Sequence, residues 1–145
     1  MRTVMVVFWV FIISLIDIKT LRIPDMILLC FFLSLLFLDR SRDVSFFCGR
    51  LASVAVCFGV FYSLYYFTGG MGYGDVKYAA VLGYALGLDK SLWAFTVASL
   101  GGIAVYLAGI KFSRWNASVK IPFAPFLGIG SLAALQINFN LLDSL

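Results

Sequence analysis

The run FCGRLASVAVCFGVFYSLYYF, from Phe47 to Phe67, decides the fold. It carries one charged side chain, Arg50, and is close to the ~20 residues a helix needs to cross a ~30 Å hydrocarbon core. Outward from it, apolar runs cover approximately 3–17, 26–38, 76–88, 91–110 and 122–142, with short polar breaks between them. The runs at 91–110 and 122–142 are also near full length. Those at 3–17, 26–38 and 76–88 are shorter and must borrow flanking residues or thin the bilayer locally. The pattern predicts an all-α fold, a polytopic transmembrane helical bundle of about six spans, forming one domain over 1–145.

Composition points the same way. The chain is 63% hydrophobic and 12% charged, with a mean hydropathy of +1.03. Soluble domains are about one-quarter charged, so too few polar side chains remain to cover a water-facing surface, and lipid must cover much of it. Met1-Arg2-Thr3 before Val4 to Ile16 has the outline of a secretory signal. Ser14-Leu15-Ile16-Asp17 lacks a small-x-small cleavage pattern, so a retained first span is expected.

The titratable inventory narrows the chemistry. All seven acidic residues are Asp: Asp17, Asp25, Asp39, Asp43, Asp75, Asp89 and Asp143. There is no Glu and no His, which excludes a Ser-His-Asp triad, a Cys-His pair and an imidazole zinc site. Cys30, Cys48 and Cys57 have no CxxC spacing and sit in apolar runs, as buried thiols do. No metal or cofactor is expected. The net charge of +4 comes from Lys and Arg scattered at the ends of apolar runs, which suits interfacial anchoring and not nucleic acid.

Topology brings three breaks to one membrane face. Asp17 closes the first run and Asp75 opens the fourth, with two spans between them. Ile121-Pro122-Phe123-Ala124-Pro125-Phe126 opens the sixth, two spans later. That face carries Lys19, Arg22, Lys77, Lys111, Arg114 and Lys120, against Arg2, Arg40, Arg42, Arg50 and Lys90 on the other. Six against five leans toward the cytoplasm by the positive-inside rule.

Each acidic residue at a membrane boundary needs a reason. Asp39 and Asp43 flank Arg40 and Arg42 and read as a solvated loop with local ion pairs. Asp25 follows Pro24 at a helix start, where a carboxylate caps free N–H groups. Asp75 lies in Gly72-Tyr73-Gly74-Asp75, where Gly72 and Gly74, with Gly69 and Gly70 upstream, allow a second backbone to approach as an extended substrate must. Read singly, Asp75 is also a residue capping an interhelical turn, and Asp17 a helix-end partner for Lys19 or Arg22. Read together, they suit aspartyl proteolysis, in which two carboxyl groups share one proton across a water. The helix ends predict roles: Asp17 at a C-terminus as the acid, Asp75 at an N-terminus as the base. The pair is expected to close fully only on substrate binding.

These residues resemble a known family. Asp17-Ile18-Lys19-Thr20-Leu21-Arg22-Ile23-Pro24-Asp25 resembles the first-aspartate motif of bacterial type IV prepilin peptidases. Gly70-Met71-Gly72-Tyr73-Gly74-Asp75-Val76-Lys77 is similar to their GxGD motif, including the lysine. Ile121 to Gly128 is similar to their PFGPF segment, with Ala124 for a usual Gly. The resemblance implies an aspartyl endopeptidase of the bacterial inner membrane with Asp17 and Asp75 catalytic. It implies a prepilin or pseudopilin substrate whose short basic leader is removed at the cytoplasmic face while its apolar helix stays in the lipid. Pro24, Asp25, Gly72, Gly74, Lys77, Pro122, Phe123, Pro125 and Phe126 would then shape the substrate approach, Phe123 and Phe126 being equally explained by packing and Lys77 by snorkelling. Larger members carry a domain with paired CxxC motifs and methyltransferase activity. No such motif occurs in this sequence, so the resemblance is to the peptidase core. The competing readings are a small transporter or channel using the two aspartates as a cation or proton site, and a non-catalytic subunit of a secretion machine. The short spans leave room for a homo-oligomer.

Overall fold

The computed structural model describes residues 2–40, 42–68, 71–113 and 122–136. Gly69, Gly70, Arg114, Lys120, Ile121 and Asp143, named above, lie outside the described residues. Six helices follow one another: α1 (Arg2–Thr20), α2 (Asp25–Asp39), α3 (Val44–Thr68), α4 (Tyr73–Leu86), α5 (Leu88–Ser113) and α6 (Ala124–Gln136). The chain is an all-α membrane bundle. Three helices, α1, α3 and α5, are long and apolar enough to cross a membrane by length and composition. At about 1.5 Å per residue they reach roughly 28, 37 and 39 Å. The first was expected to be short. It gains length because Ile18 to Thr20 continue the helix beyond Asp17.

The helix ends are set locally. Leu21 adopts a left-handed conformation (φ 50°), and its N–H bonds to the Asp17 carbonyl at 2.8 Å, closing α1. A left-handed backbone is uncommon for a side chain of this kind. Pro24 then fixes an extended turn, and its carbonyl receives the N–H groups of Ile27 and Leu28. A single residue, Gly87 (φ 84°), joins α4 to α5.

α4 is the central helix. Val76, Tyr78, Ala79, Ala80 and Leu82 to Leu86 are all buried, the all-round burial of a helix shielded from solvent and lipid alike. It packs against α2, α3, α5 and α6. Gly83 sits so close to α3 that a Cβ there would lie 2.9 Å from both Cys57 Sγ and the Ser53 carbonyl. On the outside, Val4, Phe8 and Phe11 of α1, Val60 and Phe67 of α3, and Leu100 and Leu107 of α5 are exposed and apolar, suited to lipid contact.

The end of α4 far from Asp75 is held by charge. Arg2 Nη1 contacts Asp39 Oδ1 and Oδ2 at 2.5 and 2.6 Å. Its Nη2 donates to the Tyr84 and Ala85 carbonyls, as does Arg50 Nη1, at 3.1–3.2 Å. Phe46 lies beneath the guanidinium groups of Arg2, Arg42 and Arg50. Two guanidinium groups thus take up the last carbonyls of α4. The reading of Asp39 as a solvated loop residue is corrected: it is 2% exposed and its partner is Arg2, 37 positions away.

Candidate active site

Three helix ends meet at the other end of the bundle. Asp17 sits in the last turn of α1, is 4% exposed, and its Oδ2 accepts the Ala124 N–H at 3.0 Å. Ala124 is the first residue of α6, so the Pro122–Phe126 segment reaches the site through its backbone. The rings of Phe123 and Phe126 pack elsewhere. Phe123 lies against Phe61 of α3 and Gly102 of α5, and Phe126 against Gly101. Pro122 leads into the turn, where the Phe123 carbonyl accepts from Phe126 and Leu127.

Asp75 is the third residue of α4, after the N-cap Gly72. Its N–H donates to the Gly72 carbonyl at 3.0 Å, and its carboxylate turns back on Gly72, where a Cβ would stand 3.2 Å from Oδ2. Asp75 Oδ1 is buried without a hydrogen-bond partner. Burial weighs most on the Asp75 carboxylate, and the Asp17 carboxylate adds to it at a distance; among the described residues no hydrogen bond joins the two.

What lets α4 approach the α1–α2 turn here is Gly74. A Cβ on it would lie 3.3 Å from Ile23 Cβ and 3.5 Å from Ile23 N. The second backbone that approaches this glycine is therefore the chain's own Ile23–Pro24 turn, where the sequence suggested substrate. Asp25 is corrected likewise. No side chain caps α2, and Asp25 instead pairs with Lys77 Nζ at 2.7 Å, while Lys77 lies over the Tyr73 ring. Lys77 and Asp25 thus tie α4 to α2 beside the Gly74 contact.

Tyr78 was not singled out from the sequence, where it reads as one more core aromatic. It is one turn from Asp75, 0% exposed, and its hydroxyl has no partner among the described residues. Both Asp17 and Asp75 act on it electrostatically. An apolar groove of about 480 Å³ runs between α1 and α6 and reaches Ser14, one turn before Asp17. Val4, Phe8, Phe11 and Ser14 line one wall, and Pro125 and Ile129 the other. Among the described residues no group of three or more His, Cys, Asp or Glu side chains is placed to hold a metal ion. Two carboxyl groups, a buried phenol and a backbone donor can carry out proton transfer without one.

A model of the "Type IV leader peptidase family" matches residues 4–107, which takes in Asp17 and Asp75 and ends before Pro122. The chain is similar to a "Prepilin leader peptidase/N-methyltransferase" of Pectobacterium carotovorum subsp. carotovorum, 32% identical over 137 residues that cover 90% of this chain and 49% of that protein. A protein of the same name from Bacillus subtilis (strain 168) is 32% identical over 127 residues, covering 85% and 50%. One from Burkholderia pseudomallei (strain 1026b) is 38% identical over 66 residues, covering 46% and 21%. The chain thus spans about half the length of the first two of these curated relatives. No solved structure matches it.

Proposed function

The chain belongs to the type IV leader peptidase family, and from that premise we propose that it is a membrane aspartyl endopeptidase in which Asp17 and Asp75 cleave prepilin-type substrates. The observation that carries this reading is the convergence of α1's last turn, α4's first turn and α6's first N–H on the two carboxyl groups.

Two carboxyl groups in one buried environment do not both ionise, and the pair holds one proton between them. The ionised member takes a proton from water as its oxygen attacks the scissile carbonyl. The protonated member gives its proton to the carbonyl oxygen, and the amine leaves on the return transfer. With Asp17 Oδ2 occupied by the Ala124 N–H, its Oδ1 is the oxygen free to carry the proton. The helix-end argument for separate roles loses force. The C-terminus of α1 disfavours an Asp17 anion, while the N-terminal N–H of α6 favours it, so the two effects oppose and the pair acts as a unit.

The substrate is a prepilin or pseudopilin with a basic leader and an apolar helix, and the site faces the cytoplasm from the bacterial inner membrane. The groove between α1 and α6 supports this route. It runs from Val4 to Ser14, one turn short of Asp17, and is apolar along its length. A substrate helix lying in it would leave its leader at the carboxyl groups.

Cleavage of a prepilin-type peptide by the purified chain tests the reading. Asp17→Asn and Asp75→Asn should each lower kcat by at least about 100-fold, since Asn keeps the shape without the proton transfers. Asp43→Asn should stay active. A transporter, a channel or an assembly subunit would give no cleavage in any variant. Near-normal cleavage by either single variant would refute the pairing.

A further inference from the structure

Tyr78 is the feature that the two-aspartate mechanism does not use. With Tyr84 it is the largest fully buried side chain among the described residues, yet its hydroxyl has no hydrogen-bond partner among them. Buried polar groups are almost always paired, because an unpaired one forfeits its hydration. Phenylalanine would fill the same space without that cost. A buried tyrosine hydroxyl left unpaired by its own protein is therefore a donor awaiting something else.

Its neighbours indicate what. Tyr78 follows Asp75 by three residues on α4, so the two side chains share a face. The hydroxyl is within electrostatic reach of both Asp17, from α1, and Asp75, from its own helix. Asp75 Oδ1, one turn away on the same helix, is a second buried atom with no partner among the described residues. One is a donor and the other an acceptor, and they are not bonded to each other. A molecule that accepts from the first and donates to the second satisfies both, and water does so. The Tyr84 hydroxyl, the other buried hydroxyl in question, is set apart by having the Asp39 carboxylate beside it at the opposite end of the helix.

We infer that Tyr78 is a third residue of the catalytic site, its hydroxyl donating to the oxygen of the hydrolytic water and turning that water's protons toward the carboxyl pair. In the step that follows, one water proton passes to the ionised carboxylate and the oxygen lone pair forms the new C–O bond. The carbonyl oxygen takes the proton of the other carboxyl group, and Tyr78 keeps its own. The inference rests on the proteolytic reading of Asp17 and Asp75.

Tyr78→Phe tests it, assayed beside Asp75→Asn on the purified chain with a peptide of basic leader and apolar helix. Tyr78→Phe should lower kcat by about ten-fold or more with KM within about two-fold, and should leave the melting temperature unchanged or raise it. Its pH profile of kcat should also move, because the hydroxyl binds a water whose other partners titrate. A kcat within about two-fold of wild type, with Asp75→Asn inactive, overturns the role of Tyr78 and leaves the aspartate pair standing. A lowered kcat with a lowered melting temperature and an unmoved pH profile also overturns it, as a packing effect. Cleavage by Asp75→Asn would instead overturn the reading beneath.

Discussion

Gly74 is the position where a single carbon atom should separate stability from activity. It is the second residue of α4, where alanine is favoured over glycine by up to ~1 kcal/mol on helix propensity alone. Against that gain, the new Cβ would stand 3.3 Å from Ile23 Cβ, 3.5 Å from its N and 3.6 Å from its O. The Ile23–Pro24 turn must then give by a few tenths of an ångström. Gly74→Ala should therefore leave the melting temperature within about 3 °C of wild type, since the two effects nearly cancel. Gly74→Val adds two further methyl groups toward backbone atoms that cannot rotate away, forcing a displacement of roughly 1 Å between α4 and the end of α1. Misplacement on that scale costs about 100-fold in rate when reacting groups must meet in register. The assay is peptide cleavage at saturating substrate, with thermal unfolding followed in the same detergent. A Gly74→Val enzyme with kcat near wild type would refute the claim that this contact sets the spacing of the two carboxyl groups.

Other outcomes follow from the remaining contacts. Arg2→Met alone should destabilise the chain by about 3–5 kcal/mol, because it leaves the buried Asp39 carboxylate without its partner, and Asp39→Leu added to it should recover part of that loss. Additive losses in thermal unfolding would contradict the pairing. Gly83→Ala should cost about 1–3 kcal/mol by overpacking against Cys57 and the Ser53 carbonyl, with kcat of the folded fraction retained. Ile129→Trp, which fills the α1–α6 groove, should raise KM roughly five-fold or more for a helix-bearing substrate and leave a leader peptide without the helix unaffected. Leu107→Trp, equally exposed on α5, serves as its control, and equal behaviour of the two variants would remove the groove from the substrate path.

Apolar run length fixed the six helices and their order, because a chain with so few charges has no other way to satisfy its backbone in lipid. The placing of Asp17 in the last turn of α1 and of Asp75 in the first turn of α4 was also legible, from the ends of the apolar runs. What escaped the sequence were contacts whose partners are remote or carry no side-chain signal. Asp39 looked paired with adjacent arginines, but Arg2 reaches it from the far end of α1. The donor to Asp17 is a backbone N–H, which every residue but proline possesses, so nothing marked Ala124 in advance. Gly74 was seen to invite a second backbone, and pattern alone does not say that Ile23 already fills the place. Tyr78 reads as core because position, not residue type, makes its hydroxyl exceptional.

The short central helix gives the arrangement its physical logic. At 14 residues α4 extends roughly 21 Å, too little to cross a ~30 Å core on its own. It has no need to, since the other helices cover its sides. Its first turn is enclosed by protein, with the α1–α2 turn against Gly74, so the Asp75 carboxylate is spared the cost of facing lipid. Both ends of α4 are pinned, by Arg2 and Arg50 on its last carbonyls and by Ile23 and the Asp25–Lys77 pair at its first turn. A helix held at both ends does not slide along its axis. Asp75 and Tyr78, one turn apart on it, therefore keep their place along the bundle, as the proposed proton transfer requires.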